Sequence, residues 1–412
     1  MIEVQPKLSF EIQCKACGSK TVDIKQILFQ GIHTLADCHC NNCGFTFYQT
    51  LPSGHDMLFP IQFSKDGSKS FYLPRAEVWL AKPLIDSLIK FPKQKAEINC
   101  LVNIPFKNII LINCLDSCFG HVFTKLWNAQ TLMRTQPNLG VVVLVPTPCA
   151  WLVPKGVAEI WTVNLPLKKC KYWIDGLDDF VKTQFIRFEK VFLSNTFTHL
   201  DHGRHVDLEA FVKRSGFDLS KFESKPICIT FVLREDRFWH NSVLMDFLFK
   251  VMIKSKREHL IKWVFVFRQS YLIRKTALLI RKQLPQAKVI VTGLGQSGSM
   301  GSSIVDQRVN QILPETEHQW NQIFSQSHLV IGMHGSNMLI PSYLAAGFIN
   351  IVPRYKIPHM AEDTCQPYAN RYLQFLGRHL DEFSSPKLVA LHTVSIIRDF
   401  PYIYENTEQQ PE

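Results

Sequence analysis

The stretch "KNIILINCLDSCFGHVFTKLWNAQTLMRTQPNLGVVVLVP", residues 107–146, decides the predicted fold. It opens on a strand over 109–113, which is apolar up to Ile112, continues through a loop and a helical segment over about 121–135, and closes on a second apolar run over 141–145. Continuous apolar runs of strand length, separated by a helix, are typical of parallel strands that are buried on both faces of a sheet. The stretch therefore predicts an α/β domain.

The alternation of strands and helices continues toward the C-terminus. A strand at "EIWTVN" (159–164) and a helix at "LDDFVKTQFIRFEKVFL" (177–193) complete a first α/β domain. The second series begins with a predicted strand over 227–233. A helix at 241–254, a strand at "KWVFVFR" (262–268) and a helix at "SYLIRKTALLIRKQL" (270–284) are predicted next. They are followed by a strand at "KVIVTG" (288–293), a helix at "ETEHQWNQIFSQ" (315–326), and a strand, a helix and a strand in "VIGMHGSNMLIPSYLAAGFINIVP" (330–353). Repeated strand–loop–helix units of this kind build doubly wound, Rossmann-like sheets.

The chain has 412 residues, which is more than one hydrophobic core usually serves. Apolar residues make up 46% and charged residues 20% of it, so the composition is that of a globular protein. The predicted divisions are a zinc ribbon (1–50), a proline-punctuated connecting segment (51–98), an N-terminal Rossmann-like domain on the acceptor side (99–220), a C-terminal Rossmann-like domain (221–380) and a C-terminal extension (381–412).

Cysteine spacing predicts a metal site in the first segment. Two CxxC pairs, each followed by glycine and separated by 22 residues, contain Cys14, Cys17, Cys40 and Cys43. Four thiolates on two tight turns suit the tetrahedral coordination of Zn²⁺. Iron, or a metal-free pair of dithiols, are the alternatives. Cys38 and His39 precede the second pair, and the spacing favours Cys40 over His39 as a ligand. We expect one structural zinc ion.

Positive charge is concentrated in the middle of the chain. The formal net charge is +11, and residues 151–300 alone contain 25 basic and 14 acidic side chains. Such an excess attracts an anionic ligand, namely a nucleotide, a phosphate, a membrane headgroup or a nucleic acid, although solubility alone would explain it too. Residues 1–50 sum to zero charge. Because nucleic-acid contacts need Lys and Arg, the ribbon is interpreted as a structural or protein-contact module.

Targeting signals are not evident in the sequence. The start, "MIEVQPKLSFEIQCKACG", has no basic region followed by an apolar run, which a secretory signal requires. No apolar stretch approaches the roughly 20 residues of a membrane span. The remaining cysteines are scattered without a framework pattern, as expected of buried thiols. We expect a cytoplasmic protein, with peripheral membrane contact left open.

The loop after the strand at 109–113 contains Asp116 and His121. His121 stands near the start of the predicted helix, where the helix dipole disfavours an imidazolium. A neutral imidazole can act as a general base, and Asp116 can act as the base itself or orient His121. The alternative is an ordinary capping loop, since aspartate is a common N-cap.

The loop after the strand at 227–233 contains Arg234 and Arg237. Two arginines three residues apart can converge on a phosphate. Glu235 and Asp236 between them supply the alternative, which is a solvated ion-pair network. The Gly/Ser-rich stretch at 292–303 lacks the GK[ST] of a Walker loop and is predicted to be a flexible loop.

A turn between strand and helix includes His334, Gly335, Ser336 and Asn337. Gly335 allows the backbone to approach a ligand closely, and Ser336 or Asn337 can cap the following helix, whose N-terminus favours an anion. His334 can donate a hydrogen bond or positive charge to a phosphate. The alternative is a structural histidine.

The run G-M-H-G-S-N-M, residues 332–338, with the apolar helix and strand that follow it, resembles the donor-site segment of glycosyltransferase family 61. The Arg234 strand end lies in a matching place upstream. The resemblance implies the GT-B architecture, with two facing Rossmann-like domains and a nucleotide-sugar bound mainly to the C-terminal one. It also implies inverting transfer without a catalytic metal. The sequence departs from the family pattern at Asn337, where a second glycine is usual, and in "FINIVP", which lacks a common carboxylate.

The prediction is therefore a glycosyltransferase that acts in polysaccharide or glycoconjugate synthesis. Its partners would be a nucleotide-diphosphate sugar, bound by Arg234, Arg237 and the 334–337 turn, and a hydroxyl-bearing glycan or glycolipid acceptor, deprotonated by His121 or Asp116. No nucleic acid is expected as a partner. The rival hypotheses are a nucleic-acid-binding zinc-ribbon factor and a non-catalytic GT-B-like scaffold.

Overall fold

The structure is a computed structural model that describes residues 1–89, 93–198, 206–360, 362–366 and 370–408. Its contacts divide the chain into two units, Met1–Phe211 (unit 1) and Val212–Glu412 (unit 2). Each contains a parallel sheet with helices, so the predicted α/β class is confirmed.

Unit 1 combines an antiparallel sheet with an α/β part. Its strands are β1 (Ile2–Gln5), β2 (Val22–Phe29), β3 (Thr34–Cys40), β4 (Thr46–Thr50), β5 (Gln62–Ser64), β6 (Ser70–Phe71), β7 (Gln94–Lys95), β8 (Ile98–Val102), β9 (Asn108–Asn113), β10 (Gly140–Pro146), β11 (Glu159–Val163), β12 (Ile174–Asp175) and β13 (Lys190–Leu193). Its helices are α1 (Lys82–Ile89), α2 (Phe119–Thr135) and α3 (Leu177–Phe185), and α4 (Glu209–Val212) ends at the first residue of unit 2.

The α/β sheet of unit 1 has the order β1–β13–β9–β10–β11–β8, in which the inner strands are parallel and the two edge strands antiparallel. The strands predicted at 109–113 and 141–145 form β9 and β10. The helix predicted over 177–193 is wrong beyond Phe185, because β13 follows α3 and pairs with β9. Val191 and Leu193 are buried on either side of the half-buried Phe192, which is the two-residue period of a strand.

The antiparallel sheet β2–β3–β4–β5–β6, called the N-terminal sheet below, shares one hydrophobic core with the α/β sheet. The turn between β2 and β3 is buried. Asn113 at the end of β9 donates its side-chain amide to the Gly31 carbonyl at 2.8 Å, and the Phe29 ring packs edge-on against Phe185, with centroids 5.4 Å apart. The ribbon region is therefore part of the folded body of unit 1.

Unit 2 contains a parallel sheet of order β16–β15–β14–β17–β18–β19. The strands are β14 (Cys228–Arg234), β15 (Lys288–Leu294), β16 (Val305–Val309), β17 (Leu329–Met333), β18 (Gly347–Val352) and β19 (Gly377–Asp381). The helices are α5 (Val243–Lys254), α6 (Glu258–Gln283), α7 (Pro314–Phe324), α8 (Leu339–Leu344), α9 (Asn370–Leu376) and α10 (Pro386–Glu408). The last four residues of the predicted C-terminal extension lie outside the described residues.

The strand predicted at 262–268 is wrong, because these residues lie inside α6. Buried positions recur as 265/266, 269/270, 272/273 and 276/277, which is the period of a helix. The sequence pattern misleads because Gln269 and Ser270, both polar, occupy inner positions of the helix. None of the helices in the described ranges, α6 included, has the length and apolar composition needed to cross a membrane.

Candidate functional site

The order of strands in unit 2 places two of the predicted loops side by side. From β14 the chain runs outward through β15 and β16, then returns to β17 on the other side of β14 and runs outward again. Ligands of doubly wound sheets bind beyond the carboxyl ends of the strands at such a reversal. Arg234 ends β14 and Gly335 follows β17, so both lie at this point. We call Arg234, Arg237, His334, Gly335 and Asn337 the switch-point site.

The two arginines converge on Gly335. This residue has φ of +152°, and a Cβ there would lie 2.8 Å from Arg237 Nη1 and nearer still to Arg234 Nη1. Arg237 donates a hydrogen bond to the His334 carbonyl, and Arg234 Nη1 donates to Asn337 Oδ1 at 2.8 Å. Only glycine leaves room for this approach.

Arg234 also carries an exposed counter-ion. Its Nε and Nη2 donate to the two carboxylate oxygens of Asp236 at 2.7 and 2.6 Å, and these hydrogen bonds lower the pKa of Asp236. The Asp236 side chain is 70% exposed and that of Arg234 only 18%. Solvent therefore reaches the carboxylate, while the guanidinium is largely enclosed.

His334 is a buried, neutral residue. Burial, followed by the charge of Arg237, lowers its pKa to about 4, so the ring carries no charge at neutral pH. The Asn350 side-chain amide donates to Nδ1 at 2.9 Å, which leaves the ring proton on Nε2. A carboxylate oxygen of Asp363 lies 3.1 Å from Nε2, but the pair does not make a hydrogen bond. The low pKa argues against a cationic role for His334, and its Nε2 is buried beside Asp363; a role in ligand binding stays a prediction.

The predicted cap of the following helix is wrong. Ser336 begins a short 3₁₀ turn that ends at Met338, and the N-cap position of α8 is Met338, which makes no side-chain cap. Asn337 points instead to Arg234 and to the Met333 carbonyl. The two arginines therefore bring the positively charged side chains to the switch point.

A cavity of about 500 Å³ lies next to Arg237, beyond the ends of β14, β18 and β19. Small-molecule sites commonly have volumes of about 300–1,000 Å³. Its walls include aromatic rings and charges of both signs, among them Phe238, Phe249, Tyr355 and Glu382. The sequence prediction missed these residues because they come from four separate segments, and the only local signal is that Tyr355 and Glu382 follow strand ends.

The Gly/Ser-rich loop at 292–303, predicted to be flexible, is tied down by Arg308. This buried arginine donates to the carbonyls of Ser297 and Gly298 at 2.8 and 2.7 Å. The Ser297 amide in turn donates to a Glu235 carboxylate oxygen at 3.0 Å. The loop is thus connected to the residue that follows Arg234.

Unit 1 contains a second polar centre, the Asp116 cluster, formed by His55, Asp116, His121 and Lys125. Asp116 accepts hydrogen bonds from His121 Nδ1 and from His55 Nε2, each at 3.1 Å. Lys125 Nζ lies 2.9 Å from the same carboxylate and donates to the Leu115 carbonyl at 2.8 Å. The two predicted residues, Asp116 and His121, are therefore in contact.

Burial and charge divide the roles within this cluster. Burial would raise the pKa of Asp116, but the Lys125 ammonium and the two histidines hold it well below its usual range. Burial also lowers the pKa of His55. His121 is the accessible member, with 31% of its side chain exposed against 9% for His55. The two histidines and the carboxylate could surround a metal ion, yet Lys125 already supplies the cation that the carboxylate needs.

Sequence reasoning missed His55. It lies in a 3₁₀ turn, Gly54–Met57, between β4 and β5 of the N-terminal sheet, and it is 61 positions away from Asp116 in the sequence. No local motif marks it. Its ring packs edge-on against His121, with centroids 4.7 Å apart, so the N-terminal sheet contributes a side chain to the cluster.

The four predicted cysteine ligands come together beside β3. Their Sγ atoms all lie within 4.8 Å of one another, with 3.8 Å between Cys14 and Cys43 and 3.6 Å between Cys17 and Cys40. Tetrahedral Zn²⁺ with bonds of about 2.3 Å holds its sulfurs about 3.8 Å apart. The four cysteines are therefore compatible with a structural zinc site. Cys38 lies outside the group and donates to the Ala36 carbonyl.

No protein-family model matches the sequence, and no curated protein matches it. Among solved structures, the chain is similar to the Escherichia coli ADP-heptose lipopolysaccharide heptosyltransferase II, with 8% identity, a TM-score of 0.39, and coverage of 71% of this chain and 99% of the other. The E. coli heptosyltransferase WaaC with ADP has 10% identity and a TM-score of 0.33, with coverage of 73% of this chain and 98% of the other. The glycotransferase of kitacinnamycin has 11% identity and a TM-score of 0.29, with coverage of 72% of this chain and 69% of the other.

Proposed function

We propose that the protein is a glycosyltransferase that uses a nucleotide-diphosphate sugar as donor and a hydroxyl group as acceptor. The observation that carries the proposal is the convergence of Arg234 and Arg237 on Gly335, at the reversal of strand order in unit 2. Two guanidinium groups that share one narrow backbone site suit a ligand with adjacent anionic groups, such as a diphosphate.

The donor is assigned to unit 2. Its diphosphate replaces Asp236 on Arg234 and contacts Arg237, while its nucleoside occupies the adjacent cavity between Phe249 and Tyr355. The guanidinium groups stabilise the charge that develops on the leaving diphosphate, as fixed charges do in a water-poor site. The neutral His334 ring adds no charge, and its backbone carbonyl holds Arg237 in place.

The base is assigned to His121 of unit 1. Asp116 is an unsuitable base, because it is buried and its pKa is low, but it orients His121 through Nδ1, and we assign the proton transfer to Nε2 of that ring. In the proposed step, Nε2 takes the acceptor's hydroxyl proton and the acceptor oxygen forms a bond to the anomeric carbon. The bond from that carbon to the diphosphate breaks, so the configuration inverts and a nucleoside diphosphate leaves.

Zinc is assigned a structural role. Cys14, Cys17, Cys40 and Cys43 would hold it at the edge of the N-terminal sheet, where it would cross-link the two CxxC turns. The reaction proposed above uses the chain's own arginines for the leaving group, and it routes no step through the zinc ion.

The test is a thermal-melting screen with uridine, guanosine, cytidine and thymidine diphosphates and their sugars, followed by an assay of nucleoside-diphosphate release with hydroxyl acceptors. We expect at least one nucleotide to raise the melting temperature. Arg237→Gln should weaken the affinity for that nucleotide roughly tenfold to a hundredfold, since a hydrogen bond to a charged group contributes about 1.5–3 kcal/mol.

Arg371→Gln is the matched control, because Arg371 is an exposed arginine of α9 and its loss should leave nucleotide affinity unchanged. A protein that no nucleoside diphosphate or nucleotide-sugar stabilises would contradict the proposal. So would Arg234→Gln and Arg237→Gln variants that bind as tightly as the wild type. Nucleotide binding without turnover on any acceptor would support the scaffold hypothesis instead.

A further inference from the structure

Helix α5 presents an apolar face to solvent. Val243, Phe247 and Val251 lie at intervals of four residues, with Leu244 and Leu248 beside them, so the five side chains follow one stripe of the helix. All five are exposed, from 43% for Leu248 to 66% for Val243. Surface helices of globular proteins normally turn such a stripe toward the core.

The first half of α6 has the same character. Trp263, Phe267 and Tyr271 also lie at intervals of four residues, with Leu260 one turn before Trp263, and each is at least half exposed. The Trp263 and Phe267 rings pack against each other, with centroids 6.3 Å apart. We call the exposed apolar residues of α5 and of this half of α6 the outer face.

The core of unit 2 does not require this exposure. The inner sides of the two helices already pack together around Phe238, Phe265 and Val266. Met245 and Phe249 of α5 and Ile261 of α6 pack against this cluster. The outer face is an additional apolar surface. Soluble proteins rarely expose large contiguous apolar patches unless the patch binds something.

Positive charge accompanies the outer face. Residues 250–262, which include the turn between the helices, contain five Lys or Arg and one acid, a net charge of +4. Lys254, Lys256 and Arg257 are exposed. Two copies of this chain would bring equal positive charges together, whereas an anionic partner would neutralise them. A large apolar stripe beside a basic turn, with Trp and Tyr among the exposed rings, is the pattern of helices that lie in a membrane interface.

We propose that the outer face docks unit 2 on an anionic lipid surface. The apolar side chains enter the region between headgroups and acyl chains, and the basic turn contacts the lipid phosphates. The inference rests on α5 and α6 alone and does not depend on the proposed glycosyl transfer.

The experiment is flotation of the full chain with lipid vesicles. One set consists of phosphatidylcholine, and a second set contains about one third phosphatidylglycerol. We expect binding to the second set only, weakened as salt is raised. The variant Lys254→Gln/Lys256→Gln/Arg257→Gln should reduce the affinity roughly a hundredfold, at about fivefold for each charge removed. The variant Phe247→Ser/Trp263→Ser/Phe267→Ser should not float.

Control variants distinguish specific docking from nonspecific vesicle binding and from misfolding. Lys155→Gln/Lys168→Gln/Lys169→Gln removes the same charge from exposed positions of unit 1, and Leu391→Ser/Tyr402→Ser removes exposed apolar groups from α10. Both controls should float like the wild type, and all variants should keep the wild-type melting temperature within a few degrees. No flotation of a folded wild type, or equal flotation of the wild type and the outer-face variants, would overturn the proposal. So would a dimer that only the outer-face apolar variant dissociates, without vesicle binding.

Discussion

The Arg234 guanidinium fills the space that a side chain on Gly335 would need, although 100 residues of chain lie between them. The contact exists because β14 and β17 are neighbours in the sheet of unit 2, so the residues that follow them meet at its carboxyl edge. The Arg234 side chain, Asn337 and the backbone of Gly335 are thus in mutual contact. A change at any one of them should therefore affect the other two.

Gly335→Ala is expected to disrupt the contact between Arg234 and Gly335. The new Cβ would collide with both guanidinium groups, and φ of +152° is unfavourable for alanine. We expect a loss of about 1–3 kcal/mol in the free energy of unfolding and a loss of at least tenfold in nucleotide affinity, measured by urea unfolding and by melting shift. Gly176→Ala is the matched control: its φ is +76°, but no atom of the described residues lies within 4 Å of the new Cβ. It should destabilise the protein without changing nucleotide affinity, and an equal loss of affinity in both variants would argue against the arginine contact.

His121→Ala is expected to remove the base while leaving the donor site intact. General-base catalysis contributes about 10²–10⁴-fold to a rate, so kcat should fall by that factor while the melting shift caused by the nucleotide stays the same. His55→Gln, which can still donate a hydrogen bond to Asp116, should lower kcat by much less. A His121→Ala enzyme with wild-type kcat would remove His121 from the mechanism.

Asp116→Asn is expected to destabilise the protein in a pH-dependent manner. The substitution leaves the buried Lys125 ammonium without its counter-ion, which costs about 3–5 kcal/mol. Because the pKa of Asp116 is lowered in the folded protein, its stabilising contribution is fully present above the unfolded-state pKa of about 4 and disappears as the pH falls through the lower folded pKa.

Urea unfolding of wild type and Asp116→Asn across this range provides the measurement. The difference between them should be largest at neutral pH and should shrink below about pH 4. Asp23→Asn, at an exposed position of β2, is the control and should show little difference at any pH. A gap between wild type and Asp116→Asn that widens on acidification would contradict the assignment.

Zinc is expected to bind in a ratio of one ion per chain, and Cys14→Ser should lose it. Because the N-terminal sheet shares its core with the α/β sheet, a metal-free chain should also melt at a lower temperature. Metal analysis and thermal melting in the presence of a chelator provide the measurement. Cys100→Ser, at an exposed cysteine outside the four-cysteine group, should retain the ion. Full zinc content in Cys14→Ser would exclude this cysteine as a ligand.

The parts of the fold that the sequence predicts well are those in which burial is continuous. β9 and β10 are buried along nearly their whole length, so their apolar runs identify them as strands of a parallel sheet. The sequence pattern of the first half of α6 resembles a strand because Gln269 occupies an inner position. There it accepts a hydrogen bond from the Trp239 amide and donates one to the Arg234 carbonyl. A polar residue that is buried for its hydrogen bonds removes the periodicity on which the prediction depends.

The candidate sites divide in the same way. The cysteine spacing suffices to group the four thiols, since each CxxC pair is local and the ligand type is specific. The contact between Asp116 and His121 can also be predicted, because the two residues are only five positions apart in the sequence. The place of His55 beside them, and that of Glu382 in the cavity wall, depend on how distant segments pack, and no local pattern encodes such packing.

The burial of the turn between β2 and β3 has a consequence for how this protein can be dissected or recombined. Gly31 accepts a hydrogen bond from Asn113 of the central strand β9, and a Cβ at Gly31 would lie 2.5 Å from the Cys170 carbonyl oxygen. Removing the first 71 residues would therefore expose the apolar side of the α/β sheet and delete His55. The N-terminal sheet is therefore not an independent module that could be removed or transferred to another protein. It must be inherited together with the α/β part of unit 1.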